Sequence, residues 1–131
     1  ERATARNIFS MAYVATVQDA LDVASKGVDC LVPHVGATGG GLVGHETASK
    51  IDDEIFKISQ IIDSVSGSGY APIFLCHGGK IAEPKDTRRV YEETHCVGFV
   101  GASSIERIPI ERAVKSIAED FKSIPFSKGQ L

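Results

Sequence analysis

The 131-residue sequence is poor in aromatic side chains, with no tryptophan, three tyrosines and six phenylalanines, and it has no long hydrophobic run. Its longest apolar stretches, Ile8–Thr16 and Ala71–Cys76, fall well short of the roughly 20 residues that a membrane-spanning helix needs. No charged-then-apolar signal segment opens the sequence. We therefore expect a protein that neither crosses a membrane nor is exported.

Positive charge is not in excess either, since 14 lysines and arginines stand against 17 aspartates and glutamates, for a formal net charge of −3. Binding to a nucleic-acid backbone needs a concentration of basic side chains, so we expect no nucleic-acid ligand.

The three cysteines, Cys30, Cys76 and Cys96, form an odd set, and each lies in an apolar stretch. This pattern favours buried free thiols in a reducing compartment, and hence a cytoplasmic protein.

The rest of the composition is ordinary for a globular protein, with 43% hydrophobic and 24% charged residues. We expect a single domain over residues 1–131. Because the sequence opens with Glu1 and not with methionine, we also expect this domain to be a piece of a longer polypeptide.

The sequence predicts a strand followed by a helix four times in succession. The predicted strands are Ile8–Thr16, Val28–Val35, Ala71–Cys76 and Val97–Val100. The predicted helices are Val17–Lys26, a segment with a stripe of Ile51, Ile55, Ile58, Ile62 and Val65, a segment from about Pro84, and a segment from about Pro109 with Ile110, Ala113, Val114, Ile117, Ala118 and Phe121 on one face. The almost continuously apolar second strand is typical of a parallel sheet.

Four βα units fit two architectures, a small open doubly wound sheet or half of an eight-stranded (β/α) barrel. A whole barrel takes about 250 residues, so a chain of 131 residues is close to one half. A half barrel exposes an apolar inner face and two unpaired edge strands. We therefore expect it to pair with a second copy, with a separate chain or with a missing N-terminal half.

Both architectures bind ligands at the carboxyl ends of their strands, where this sequence places histidines, glycines and hydroxyls. His34 and His77 end the second and third strands, and we expect them to be neighbours that transfer protons or orient a substrate. Alternatively, each hydrogen-bonds a neighbouring carbonyl and has only a structural role. His45, in the long loop 36–49, is a candidate lid residue.

The glycines and hydroxyls of these loops predict a site for a phosphate or carboxylate group, because backbone N–H groups and helix N-termini attract anions. Its candidate residues are Gly36, Thr38, Gly39, Gly40, Gly78, Gly79, Gly101, Ser103, Ser104 and Arg107. The alternative is that the glycines only make tight turns between strand and helix.

Glu106 is a candidate base, and Arg107 beside it is a candidate partner for an anion, unless the two only lock their own loop by pairing with neighbours. If His34 and His77 held a divalent metal such as Mg²⁺, Glu106 would be the third ligand, although no HxH or HxxE spacing supports such a site. Cys76 adjoins His77, but adjacent residues of a strand point to opposite faces, so we expect no Cys–His nucleophile.

Three segments resemble a known family. They are Leu31-Val32-Pro33-His34-Val35-Gly36 with a following Thr-Gly-Gly, Leu75-Cys76-His77-Gly78-Gly79 with Ile81-Ala82 and Pro84-x-Asp86, and Gly98-Phe99-x-Gly101-Ala102-Ser103-Ser104-Ile105-Glu106-Arg107-Ile108-Pro109. On these motifs the chain resembles the phosphoenolpyruvate hydrolase-like family of TIM-barrel proteins, which also supplies the C-terminal domain of a plant antiviral resistance protein. It departs from the family at Lys80, where proline is usual, and at Ala37, where threonine is usual.

The resemblance implies a (β/α)8 fold, of which this chain matches the C-terminal half. Our first hypothesis is an enzyme that acts on a small phosphorylated or carboxylated carbonyl compound by hydrolysis or lyase-type chemistry. Its candidate catalytic residues come from their positions at the strand ends and not from the family, and they are His34, His77 and Glu106. The same resemblance allows a non-catalytic binding or regulatory barrel.

Overall fold

A computed structural model describes residues 2–44, 46 and 48–126. After a 3-10 turn at Thr4–Arg6, the elements in chain order are β1 (Met11–Val14), α1 (Val17–Ala24), β2 (Cys30–Pro33), α2 (Ile51–Gly67), β3 (Ile73–Cys76), α3 (Pro84–Glu93), β4 (Gly98–Phe99), α4 (Ser103–Glu106) and α5 (Ile108–Lys122). The four predicted βα units are confirmed. Every strand is shorter than predicted, and α4 is a short helix in a segment predicted as loop.

The strands form one parallel sheet in the order β1-β2-β3-β4. A crossover between neighbouring parallel strands is almost always right-handed, so an order that never reverses places successive helices on the same face of the sheet. A doubly wound sheet reverses its order and carries helices on both faces. The observed order is therefore that of four consecutive units of a (β/α)8 barrel, and it excludes the doubly wound alternative.

The core lies between the sheet and the helices, and the stripe of α2 is its main helical contribution. Ile58, Ile62 and Val65 are each 1% exposed or less, and they pack in one cluster with Leu31 and Phe74 of the sheet. The stripe predicted from the spacing of the isoleucines is thus confirmed as the buried face.

The other face of the sheet is exposed on β1 and β3, whereas Cys30 and Val32 of the central β2 are buried there. Ala12 and Val14 of β1 pack against the core, whereas the alternating residues Met11 and Tyr13 are both 50% exposed. Ile73 of β3 is 46% exposed on the same open face. In a complete barrel this face lines the interior.

Helix α5 does not bury the apolar face predicted for it. Ile110, Val114 and Phe121 are 62%, 64% and 72% exposed, whereas Ile108 at its first position is buried. The N-terminal part of α5 is held to the rest of the molecule, because Glu111 accepts a hydrogen bond from the N–H of Leu42.

The three cysteines are free and buried, as predicted. None of the helices described in the structure is long and apolar enough to cross a membrane. His45, the candidate lid residue, lies outside the described residues.

Candidate functional site

Two histidines meet at the carboxyl ends of the central strands. His34 follows β2 and His77 follows β3, and the two residues form a parallel bridge that extends the sheet. Their ring centroids are 5.1 Å apart. The structure therefore brings the predicted pair together, with His77 buried and His34 half-buried.

Tyr13 completes a cluster of three rings. Its ring centroid lies 5.5 Å from that of His34 and 5.1 Å from that of His77. The sequence places Tyr13 at the ligand-binding end of the first strand but predicts no catalytic or anion-binding role for it, because its contact with the histidines depends on strand register, which pairs it with Val32 two residues before His34. The available signal was its position near the end of the first strand, one residue before the buried Val14.

Hydrogen bonds identify the protonated nitrogen of each neutral ring. The N–H of Gly36 donates to Nδ1 of His34 at 3.2 Å, so the proton of a neutral His34 is on Nε2. Nδ1 of His77 lies 2.7 Å from the carbonyl oxygen of Val100, which can only accept, so Nδ1 of His77 carries its proton. The pair thus presents one N–H donor, Nε2 of His34, and one acceptor, Nε2 of His77.

The surroundings favour the neutral form of His34. Burial lowers the pKa of this imidazole below its ordinary value of 6.5, and the nearby His77 lowers it further. Near neutral pH, His34 is therefore a hydrogen-bond donor without a full charge.

The two glycine loops beside the histidines are joined to each other. The N–H of Gly79 donates to the carbonyl of Gly36 at 2.9 Å, and the N–H of Gly39 donates to the carbonyl of Gly79 at 2.8 Å. A Cβ on Gly78 would lie 2.2 Å from the carbonyl oxygen of Gly36, so only glycine fits there. These N–H groups hold the loops together in this conformation, so a bound anion would use other donors.

Glu54 is a buried carboxylate that sequence reasoning missed. It lies in the first turn of α2, is 3% exposed, and accepts hydrogen bonds from Oγ of Ser49 at 2.6 Å and from the N–H of Lys80 at 2.8 Å. A Cβ on Gly79 would lie 2.3 Å from this carboxylate. Glu54 therefore connects α2 to the turn that follows His77. The feature of the sequence that could have indicated this role is a charged residue beside the isoleucine stripe.

Arg107 is engaged inside the protein. Its guanidinium donates to the carboxylate of Glu111 at 2.6 Å and to the carbonyl of Gly40 at 3.1 Å. Arg107 thus fixes its own loop by pairing with neighbouring groups, which is the alternative to anion binding given above. Glu106 is exposed on α4, and within the described part of the chain no contact joins it to His34 or His77.

The remaining predicted residues lie around the same end of the sheet. Thr38, Gly101, Ser103 and Ser104 are half-buried. Among the described side chains, the hydroxyl of Ser104 is buried without a hydrogen-bond partner. It lines an apolar cavity of about 450 Å³ between α3 and α4, together with Tyr91, Phe99 and Ile105. The cavity lining includes none of the three clustered rings.

The geometry of the described residues supports neither a metal site nor a cysteine nucleophile. In residues 2–44, 46 and 48–126, no group of three histidine, cysteine, aspartate or glutamate side chains is arranged to hold a metal ion. Cys76 packs in the core, whereas His77 joins the ring cluster on the open side, as expected for adjacent strand residues. A hydrogen bond with Cys96 and burial both raise the pKa of the Cys76 thiol, so it is not an activated nucleophile.

Comparison with known proteins places these features in a family. A family model described as phosphoenolpyruvate hydrolase-like matches residues 1–124. The chain is 35% identical over 113 residues to both the ToMV susceptible protein tm-1(GCR26) and the ToMV resistance protein Tm-1(GCR237) of Solanum lycopersicum. It is 30% identical over 119 residues to the putative transcriptional regulatory protein y4pA of Sinorhizobium fredii. The matches cover 86% to 91% of this chain but only 15% to 20% of these relatives.

Solved structures agree on the fold. The N-acetylmannosamine-6-phosphate 2-epimerase of Clostridium perfringens matches with a TM-score of 0.52 and 16% identity, over 95% of this chain and 46% of the epimerase. The nitroalkane oxidase of Streptomyces ansochromogenes matches with a TM-score of 0.53 and 18% identity, over 79% of this chain and 29% of the oxidase. At these identities the likeness shows the architecture of a partial (β/α) barrel and nothing about the reaction.

Proposed function

Because the chain belongs to the phosphoenolpyruvate hydrolase-like family and supplies half of a (β/α)8 barrel, we propose that its barrel mouth binds a small phosphorylated or carboxylated carbonyl compound. The observation that carries the proposal is the convergence of Tyr13, His34 and His77 at the carboxyl ends of three neighbouring strands. This is the edge where (β/α) barrels bind their ligands.

The two Nε2 atoms suit proton transfer to such a compound. Nε2–H of His34 donates to a carbonyl or phosphate oxygen as negative charge develops on it. Nε2 of His77, the acceptor, takes a proton from water or from the carbon beside the carbonyl. Tyr13 packs against both imidazoles and restricts their orientation.

Hydroxyl groups are the better candidates for holding the anionic part of the ligand. The N–H groups of Gly36, Gly39 and Gly79 already have partners inside the protein. Ser104 remains a candidate, although its buried hydroxyl lines the cavity between α3 and α4 and not the ring cluster. Thr38 and Ser103 are further candidates at the same end of the sheet. No step is assigned to Mg²⁺, because the clustered rings offer no carboxylate ligand.

A non-catalytic binding or regulatory barrel is the second candidate. The names of two relatives favour this candidate, because they describe virus resistance and transcriptional regulation. In that case the same mouth recognises an anionic ligand without turning it over.

Calorimetric binding of phosphoenolpyruvate and an assay for its turnover, each with and without Mg²⁺, test both candidates. His34→Asn and His77→Asn are suitable variants, because the amide of asparagine can replace Nδ1 in its internal hydrogen bond while Nε2 is removed. The exposed His95, which precedes β4, gives the matched control His95→Asn.

For an enzyme, His77→Asn lowers turnover by about 10²–10⁴-fold, the usual contribution of a general acid or base, and His95→Asn has no effect. For a binding barrel, wild type binds without turnover and the two mouth variants weaken binding. If phosphoenolpyruvate, oxaloacetate and inorganic phosphate all fail to bind wild type, the proposal is wrong.

A further inference from the structure

Glu54 joins the start of α2 to the two glycine loops beside the histidines. Its Oε2 accepts a hydrogen bond from the N–H of Lys80 at 2.8 Å, and its Oε1 accepts one from Oγ of Ser49 at 2.6 Å. The carboxylate also lies directly against Gly79, where a Cβ would come within 2.3 Å of it. A buried carboxylate therefore fixes the turn after His77 from the side of the helix.

The glycine loops have no side chains of their own to hold them in this shape. Gly78 and Gly79 have φ angles of +90° and +56°, in the left-handed region, and glycine loses more conformational freedom on folding than any other residue. Contacts from outside the loops have to offset that loss. A hydrogen bond from a backbone N–H to a carboxylate suits this role, because a charged acceptor makes the bond stronger than one between neutral groups.

The turn in its fixed position is connected to His34 through the other glycine loop. The N–H of Gly79 donates to the carbonyl of Gly36 at 2.9 Å. The N–H of Gly36 in turn donates to Nδ1 of His34 at 3.2 Å. A displacement of the turn therefore changes the direction of the Gly36 N–H and weakens its bond to the imidazole.

We propose that Glu54 is a positioning residue that keeps the proton of neutral His34 on Nε2 by way of the two glycine loops. A donor aimed at Nδ1 favours this tautomer, and without the donor both tautomers of a neutral imidazole become populated. The consequence rests on the proposed function, in which Nε2–H of His34 donates to an oxygen of the ligand. The position of the proton itself depends on no ligand.

His77 supplies an internal comparison. Its Nδ1 lies 2.7 Å from the carbonyl oxygen of Val100. The N–H of Val100 donates to the carbonyl of Cys76 at 3.0 Å, which continues the pairing of β3 with β4. This contact belongs to the sheet and not to the glycine loops. Loss of the Glu54 carboxylate should therefore change the tautomer of His34 and leave that of His77 as it is.

Four variants separate this role from a contribution to stability alone. Glu54→Ala removes both acceptor oxygens, and Glu54→Asp keeps the charge but withdraws it from the N–H of Lys80. Glu54→Gln keeps an acceptor oxygen for that N–H. Asp53→Ala is the matched control, because Asp53 lies in the same turn of α2 but is exposed and accepts from the N–H of Lys50.

The measurement is long-range nitrogen–proton NMR of the imidazole rings in the ligand-free protein, at about pH 8, where histidine is neutral. In wild type, Nε2 of His34 should have the chemical shift of a protonated ring nitrogen and Nδ1 that of an unprotonated one. In Glu54→Ala and Glu54→Asp these two resonances should move toward each other, while those of His77 keep their wild-type positions. Glu54→Gln should restore the wild-type pattern, and Asp53→Ala should leave it undisturbed.

Unchanged ring-nitrogen resonances of His34 in folded Glu54→Ala would overturn the proposal. So would equal changes at His34 and His77, or a change at His34 in Asp53→Ala as large as in Glu54→Ala. If Glu54→Ala does not fold, Glu54→Asp decides by the same criteria. Because no ligand is added, the result is the same whether or not phosphoenolpyruvate binds, and failure of this proposal is distinguishable from failure of the proposed function.

Discussion

At the scale of single residues, the site depends on which nitrogen of each imidazole carries the proton. The backbone decides this, because Gly36 donates to Nδ1 of His34 while Val100 accepts from Nδ1 of His77. Two residues of the same type thus acquire opposite roles at Nε2. A substitution that preserves the backbone but shifts these two hydrogen bonds would exchange or abolish those roles.

The lowered pKa of His34 makes stability depend on pH. In the unfolded chain this imidazole titrates near 6.5, and in the folded protein burial lowers its pKa. The unfolded state therefore binds more protons as the pH falls through the region of 6.5, so acid lowers the free energy of unfolding. We expect this loss in urea denaturation measured from about pH 8 to about pH 5.

His34→Asn provides the comparison, since asparagine does not titrate in this range. Its free energy of unfolding should fall less over the same interval, while His95→Asn should behave as wild type. Equal pH dependence in wild type and His34→Asn would show that His34 is not the group responsible.

The predicted and missed residues differ in the kind of information they need. His34 and His77 could be predicted as neighbours, because each ends an apolar strand and adjacent parallel strands end at one edge. Tyr13 needed the register of β1 on β2. Glu54 needed the closure of two loops onto the start of α2. Neither register nor loop closure is encoded in local spacing.

At the scale of elements, α2 does more than cover the sheet. Its isoleucine stripe forms the centre of the core, and Glu54 in its first turn holds the segment after β3. A buried carboxylate with two donors is costly to remove, because both donors lose their acceptor in a partly buried site.

Glu54→Ala should therefore lower the free energy of unfolding by about 1–3 kcal/mol, the usual cost of leaving buried donors unsatisfied. Glu54→Gln keeps one acceptor oxygen and should lose less. Asp63→Ala, at an exposed position of the same helix, is the control. Urea denaturation measures the free energy of unfolding of all three variants. If Glu54→Ala has the same free energy of unfolding as wild type, the loops do not depend on this contact.

The helix boundaries show what spacing can predict at this scale. The predicted start of α3 at Pro84 is confirmed, and proline is suited to the first turn of a helix. The strands are shorter than their apolar runs, because pairing and not composition ends a strand. The stripe of α5 was visible in the sequence, but what it packs on was not, because the βα unit that would cover it is not in this sheet.

At the scale of the whole molecule, the sheet order decides the architecture. Length and βα repetition left a doubly wound sheet and a half barrel open, whereas the order β1-β2-β3-β4 belongs to the barrel alone. A barrel half brings its binding residues to one rim but does not enclose them. The exposed ring of Tyr13 on the inner face is the visible consequence.

Binding at the barrel mouth is tested most directly by observing His34 and His77 while an anionic carbonyl compound is added. We would record the ring C–H resonances of His34, His77 and the control His95 by NMR during titration with phosphoenolpyruvate, and with inorganic phosphate for comparison. We expect saturable shifts of the His34 and His77 resonances, with those of His95 unchanged. Shifts that spread over all three histidines without saturation, or no shift at His34 and His77, would contradict it.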